Sequence, residues 1–255
     1  MNNSLLAIII FSVLTLLYFV AKYYLTNITG DPNSSSSTYL KIISLLYYAL
    51  ILGSQVIINF NALKSICGSS NIGSALMVTI IPWVFIFGIM NVVLMMFPSW
   101  KSPFSNTFGY LATRLAGVRT LLLDDILKPK GSEKQTKLNE AIRHIYSDPS
   151  LLVNEVTLDN YDEFWREIND IRKKGSDQYK VAFKQMILLK DVVAEFMWFL
   201  LTGIYVSMTS HNSVINDGCS YSVDDMKKRH KEYEKKVEKE SKKPVPKPQT
   251  YYVDD

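Results

Sequence analysis

The stretch LLAIIIFSVLTLLYFVAKYYL, Leu5–Leu25, decides the architecture. Its 21 residues hold one charge, Lys22, close to the end. At a helical rise of about 1.5 Å per residue it matches a hydrocarbon core of roughly 30 Å. No basic segment precedes it, and Thr26-Asn27-Ile28 is a poor cleavage context. It therefore reads as a retained span rather than a secretory signal. Three more apolar runs follow, Tyr39–Leu63, Ile72–Phe97 and Val192–Met208. The short connection Lys64–Asn71 suits an antiparallel pair. Pro82 lies inside the third run, where a kink is tolerable if neighbours satisfy the freed carbonyl. Phe97-Pro98 ends that run, and Trp100 offers an interfacial anchor. The fourth run is shorter and carries Glu195 near one end. It continues an amphipathic stretch that begins near Ser176. It reads as a span, with a helix buried against the bundle as the alternative.

Of 255 residues 48% are hydrophobic and 20% charged, and the charges lie almost entirely outside the four runs. That distribution excludes an ordinary soluble protein. With Gly 11, Pro 9 and Cys 2, collagen-like, disulfide-scaffold and wholly disordered classes are excluded too. The expected fold class is all-α: a four-span transmembrane helical bundle with an interfacial helix, a small membrane-surface helical domain and a charged C-terminal tail. Residues 1–97 hold three spans (about 5–25, 39–63 and 72–97). Residues 98–190 hold the interfacial helix and surface domain, 191–209 the fourth span, and 210–255 a helical and extended tail.

Basic residues flanking the spans report orientation. Lys22, Lys41, Lys101, Arg114, Lys174, Lys180, Lys184 and Lys190 share one side. Lys64 and the group Lys227, Lys228 and Arg229 share the other. The balance favours a cytosolic central segment with both termini lumenal or exterior. The acceptor tripeptides Asn27-Ile28-Thr29 and Asn33-Ser34-Ser35 argue the other way, since they would place the first loop in a lumen. Cys67 and Cys219 fall on the same side in either orientation. A disulfide and two unpaired thiols both remain open, and metal-ligand spacing is absent.

Between the third and fourth runs, Phe104, Phe108, Leu111, Leu115, Val118 and Leu122 recur as one helical stripe across 103–128. Arg114 and Arg119 can reach outward while their stems cover apolar surface. The stripe suits a helix lying in the interface or one packed on the surface domain. Ser132 with Gln135 forms a capping box leading into Leu138, Ile142 and Ile145, and Asp148-Pro149 ends that helix. A second helix is expected over Asp159–Lys174, with Tyr161, Trp165, Ile168 and Ile171 inward and Gly175 as its stop. Asp159, Asp162, Glu163, Glu167 and Asp170 read as a solvated face rather than a metal cluster. In the tail, Val223, Met226, His230, Tyr233 and Val237 make a thin heptad-like stripe. Pro244, Pro246 and Pro248 then force extension, as a binding peptide or as plain disorder.

No chemistry-bearing motif appears. His144, His211 and His230 have no neighbouring nucleophile or second ligand, and no phosphate loop or hydrolase elbow is present. The sequence thus points to no enzyme, cofactor or metal, and a net charge of +4 gives no nucleic-acid footprint. Polar groups inside the spans are Gln55 and Asn59, one turn apart, and Asn91 in the next run. They suit interhelical hydrogen bonds or a polar path for a solute. Glu195 could pair with Lys22, Lys41 or Arg114.

The segment Phe97-Pro98-Ser99-Trp100-Lys101-Ser102-Pro103-Phe104-Ser105-Asn106-Thr107-Phe108-Gly109-Tyr110 resembles a stretch in multi-pass membrane proteins of large nucleocytoplasmic DNA viruses. With the hydrophobic hairpin before it, the resemblance spans roughly residues 40–125. It implies a virion-membrane, minor capsid-associated type of protein. Such a protein would sit in the virion's internal membrane or the host endoplasmic-reticulum-derived membrane from which virions assemble, and contact capsid or scaffold proteins. The expectation is a structural protein whose partners are the bilayer and that protein layer, with a homo-oligomer open. The alternative is an oligomeric channel or transporter using Gln55, Asn59 and Asn91.

Overall fold

The structure, a computed structural model, describes residues 3–29, 36–67, 72–129, 136–216 and 223–241. Among them the only β feature is an isolated antiparallel bridge between Leu127 and Arg172. Helices α1 (Asn3–Thr29), α2 (Ser36–Cys67) and α3 (Ile72–Met96) are built from the first three apolar runs. Each is long and apolar enough to cross a membrane, with peak mean hydropathies of 2.6, 1.8 and 2.3. Their outer faces are apolar as well: Leu45, Met77, Phe85 and Met95 are each at least 62% exposed. Such a surface is a liability in water and the ordinary exterior of a protein in lipid. An integral membrane protein is compatible with all of this.

The three helices alternate in direction. Tyr18 lies opposite Ser44, Thr15 opposite Tyr47, and the Gln55 amide donates to the Ala7 carbonyl. Along α3, Trp83 and Phe87 meet Phe11 at ring separations of 5.5 and 6.0 Å. Pro82 lacks the N–H that would donate to the Val78 carbonyl, and the backbone widens into a π-turn at Trp83–Gly88. The Val78 carbonyl instead accepts from the Ser210 hydroxyl at 2.8 Å. Asn59 donates both to that hydroxyl and to Thr79, at 2.8 and 2.9 Å. Ser210→Ala is therefore expected to cost about 1–2 kcal/mol in detergent unfolding. In a Pro82→Ala background, which restores the backbone donor, the cost should shrink; equal costs in both backgrounds would refute the assignment.

Beyond α3 the chain makes a 3-10 turn, Pro98–Lys101, and two short helices, α4 over 102–115 and α5 over 118–126. This corrects the expectation of one helix across 103–128. Gly117 adopts a left-handed φ of 95° and breaks the run, as glycine does at helix ends. The stripe is thereby divided. Phe108, Leu111 and Leu115 stay exposed, while Val118 and Leu122 are fully buried in the surface domain.

That domain adds α6 (Thr136–Ser147), α7 (Ser150–Val153) and α8 (Tyr161–Glu167). The α6 stop at Asp148-Pro149 is as expected, and Asp148 caps α7 by accepting from the Ser150 amide at 3.0 Å. Ser132 and Gln135 lie outside the described residues. The second surface helix is shorter than expected. It tightens to a 3-10 turn at Ile168–Ile171, and the chain then reverses at Gly175 with φ 84°. Its inward face is as read: Tyr161, Trp165, Ile168 and Ile171 are buried with Ile126, Ile142, Val153 and Phe183.

Helix α9 (Lys180–Asn216) unites the two parts. Its first third supplies Phe183 and Ile187 to the surface core, while Phe199 and Val206 enter the bundle core. Val214 closes the far end against Ala62, Leu63 and Ala75. The expected boundary at 190/191 thus falls inside one uninterrupted helix. Unlike α1–α3, α9 is not among the helices apolar enough to span by composition. Lys184, Lys190, Asp191 and Glu195 charge its first half, and Ser207, Thr209, Ser210, His211 and Asn212 make the rest polar. A final helix, α10 (Val223–Ser241), carries Met226, Tyr233 and Val237 exposed. The proline-spaced terminus lies outside the described residues.

Candidate functional site

Charged groups gather at the end of the bundle that joins the surface domain. Asp191 and Glu195 stand one turn apart on α9. Glu195 accepts from Lys22 of α1 at 2.6 and 2.7 Å, which selects Lys22 from the three expected cations. Asp191 pairs with Lys101 at 2.6 Å. Two clasps thus hold the end of α1 and the turn after α3 against one face of α9. Breaking one member would strand the other at a half-buried position.

An aromatic cluster sits beside the clasps. Trp198 of α9 lies 6.2 Å from both Trp100 and Phe104, and Phe97 stacks on Trp100 at 6.0 Å. Phe104 turns inward to reach Trp198, whereas Trp100 and Phe108 remain about half exposed at 49% and 46%. Arg114 and Arg119 both face outward.

Below them is a pocket of about 150 Å³, lined by Asn91, Leu94, Met95, Pro98, Lys101, Glu195 and Phe199. Asn91 is only 3% exposed, yet neither its amide nitrogen nor its amide oxygen has a hydrogen-bond partner. Gln55 and Asn59 differ from it, because each spends its N–H groups on interhelical bonds. The sequence grouped these three amides, and the structure separates them into two satisfied ties and one orphan.

Two polar residues escaped sequence reasoning. Lys190, counted there as a flanking cation, is 2% exposed. Its ammonium donates to the carbonyls of Val153 and Val156 at 2.7 and 2.8 Å, capping the C-terminal end of α7. Burial pushes its pKa down to about 8, against the opposing charges of Asp191 and Glu155. The signal was its spacing: Phe183, Ile187, Lys190 and Ala194 lie on one helical face, so Lys190 sits in an apolar stripe. The other is Arg172, which donates to Asp177 at 2.7 Å and lies 4.4 Å over the Trp165 ring. Trp165 donates to the same carboxylate at 3.0 Å. Asp177, held by these two donors, has its pKa lowered below the ordinary carboxylate value.

Comparison with protein-family models, with curated proteins and with solved structures finds no match. The acidic residues of α8 are exposed, and Asp162 pairs with Lys180 at 2.6 Å. No group of three or more His, Cys, Asp or Glu is placed to hold a metal among the described residues. Cys67 is disulfide-bonded, and Cys219 lies outside the described residues. What the arrangement offers is a charge-balanced collar of two cations and two anions, above a pocket with an unsatisfied amide at its floor.

Proposed function

We propose that this chain is a multi-pass membrane anchor whose surface domain grips a protein layer beside the bilayer. The observation that carries this reading is the continuity of α9. The helix that completes the surface core also packs along α1, α2 and α3. From Glu195, level with Lys22, to Val214, level with Ala75, it covers roughly 30 Å at the helical rise, the thickness of a hydrocarbon core. That match supports α9 as a fourth span, with Ser210 turned onto α2 and α3 and Thr202, Thr209 and Ser213 bonded back to carbonyls of α9 itself. A domain built on the end of a span has little freedom to swing, which suits transmitting position rather than releasing product.

The exposed Trp100, Phe108, Leu111 and Leu115 support contact of α4 and the turn before it with the bilayer face. The hydrogen bonds of Gln55 and Asn59 within the protomer favour interhelical ties over a conducting path. The viral resemblance suggests a capsid or scaffold layer as the partner, in a virion or endoplasmic-reticulum-derived membrane. A photo-crosslinking residue at Glu163 or Glu167, exposed on α8, tests the reading in particles or membranes containing the full chain. One recurrent protein adduct is expected from these positions. Lipid adducts alone, or none, would sink it.

A further inference from the structure

Asn91 poses a chemical question that the anchor role leaves open. A buried primary amide in apolar surroundings is costly unless both its donor and acceptor are used. Here neither is, although Gln55 and Asn59 in the same bundle are bonded. A second copy of the chain cannot meet the need, because at 3% exposure the side chain is closed to another helix. The partner must be small enough to enter the pocket.

The pocket describes such a partner. Its walls, Leu94, Met95, Pro98 and Phe199, are apolar, and its rim carries one cation and one anion, Lys101 and Glu195. Each rim charge is fixed by its own clasp, Lys101 to Asp191 and Glu195 to Lys22, both at 2.6 Å. The rim is therefore rigid and neutral overall. Asn91 lies five residues before the end of α3 at Met96, about 7–8 Å deeper along the helix axis. Met95 and Pro98, both exposed, leave the mouth open on the outer face of the bundle. Asn side chains rotate broadly about their terminal torsion, so the amide can turn toward an occupant.

A molecule with a phosphate beside an ammonium, and an ester carbonyl one step deeper, meets each feature in turn. We propose that this pocket seats an ester carbonyl of one zwitterionic phospholipid, whose headgroup lies across the rim and whose chains run down the outer face of the bundle. Lys101 faces the phosphate, Glu195 the ammonium, and the Asn91 N–H donates to an ester carbonyl. The apolar walls cover the first acyl carbons. A phospholipid without an ammonium would leave Glu195 unused, so a zwitterionic headgroup engages one more rim group than an anionic one. This inference rests on α3 and α9 being embedded in a membrane.

The test is native mass spectrometry of the full chain released from bilayers of phosphatidylethanolamine and phosphatidylglycerol in equal parts. One retained phosphatidylethanolamine per chain is expected. Asn91→Leu should lower its occupancy about tenfold, the equivalent of one lost hydrogen bond to a buried group. Met95→Trp, at a position 74% exposed, should block the mouth and lower occupancy without disturbing the core. Three results overturn the proposal: variants that retain as much lipid as the parent chain, preference for phosphatidylglycerol, or no retained lipid, which would assign the pocket to water. Extraction at alkaline pH separates the two levels. Protein that washes off vesicles defeats the membrane reading itself, while protein that stays but retains no lipid defeats only the site.

Discussion

Gly203→Leu is expected to unseat the bundle while leaving the surface domain folded. A Cβ at this position would stand 1.9 Å from the tip of the Phe11 ring. That ring is fully buried and wedged against Trp83 and Phe87, so it has nowhere to retreat. Overpacking a dense core costs about 1–3 kcal/mol for modest insertions. A whole isobutyl group driven through an aromatic ring belongs at or above the upper end, about 3 kcal/mol or more. Detergent unfolding followed by tryptophan fluorescence should show the loss. Phe11→Ala in the same chain vacates the ring's volume and should restore much of the stability. If the double variant is no better than Gly203→Leu alone, Phe11 is not what the glycine accommodates.

Gly109→Val acts at the other junction. Its Cβ would lie 2.5 Å from the Lys190 carbonyl oxygen and 3.0 Å from the Lys190 side chain. The first obstacle is helical backbone, which cannot turn aside as a side chain can. Relief requires α4 to lift from α9, and Lys190 would shift from the Val153 and Val156 carbonyls it caps. The expected cost is about 3 kcal/mol, with the lost cap adding to the steric term. The effect should be local. Limited proteolysis should open the region around α4 and α7, while α1–α3 keep their resistance. Cleavage indistinguishable from the parent would mean that α4 does not rest on α9 at this glycine.

How much of this was legible in the sequence depends on what each feature needed. The helices α1, α2 and α3 were plain because the length and apolarity of a run suffice to define them. The inward face of α8 was equally plain from the spacing of Tyr161, Trp165, Ile168 and Ile171. The stripe from Phe104 to Leu122 misled, because periodicity measures phase and is blind to one left-handed residue. Gly117 was visible as a glycine, but a glycine within a helical pattern is often tolerated, and only the backbone shows that it turned. Lys22–Glu195 could be narrowed to three candidates but not chosen, since the choice depends on which helix ends meet. The pocket at Asn91 was hidden for a similar reason. Three amides look alike in a sequence, and which one lacks a partner is a property of the neighbours.

The polar handshake around Pro82 bears on the order in which the molecule can be made. Ribosomal synthesis delivers α1, α2 and α3 long before Ser210 and Glu195 exist. Until then the Val78 carbonyl and the Lys22 ammonium lack the groups that later quiet them, and the Asn59 amide has only Thr79. A nascent chain halted before α9 would hold two unpartnered polar groups and one half-used amide along its apolar helices. Maturation is thus sealed from the carboxyl side, when one late helix slides in and answers all three at once.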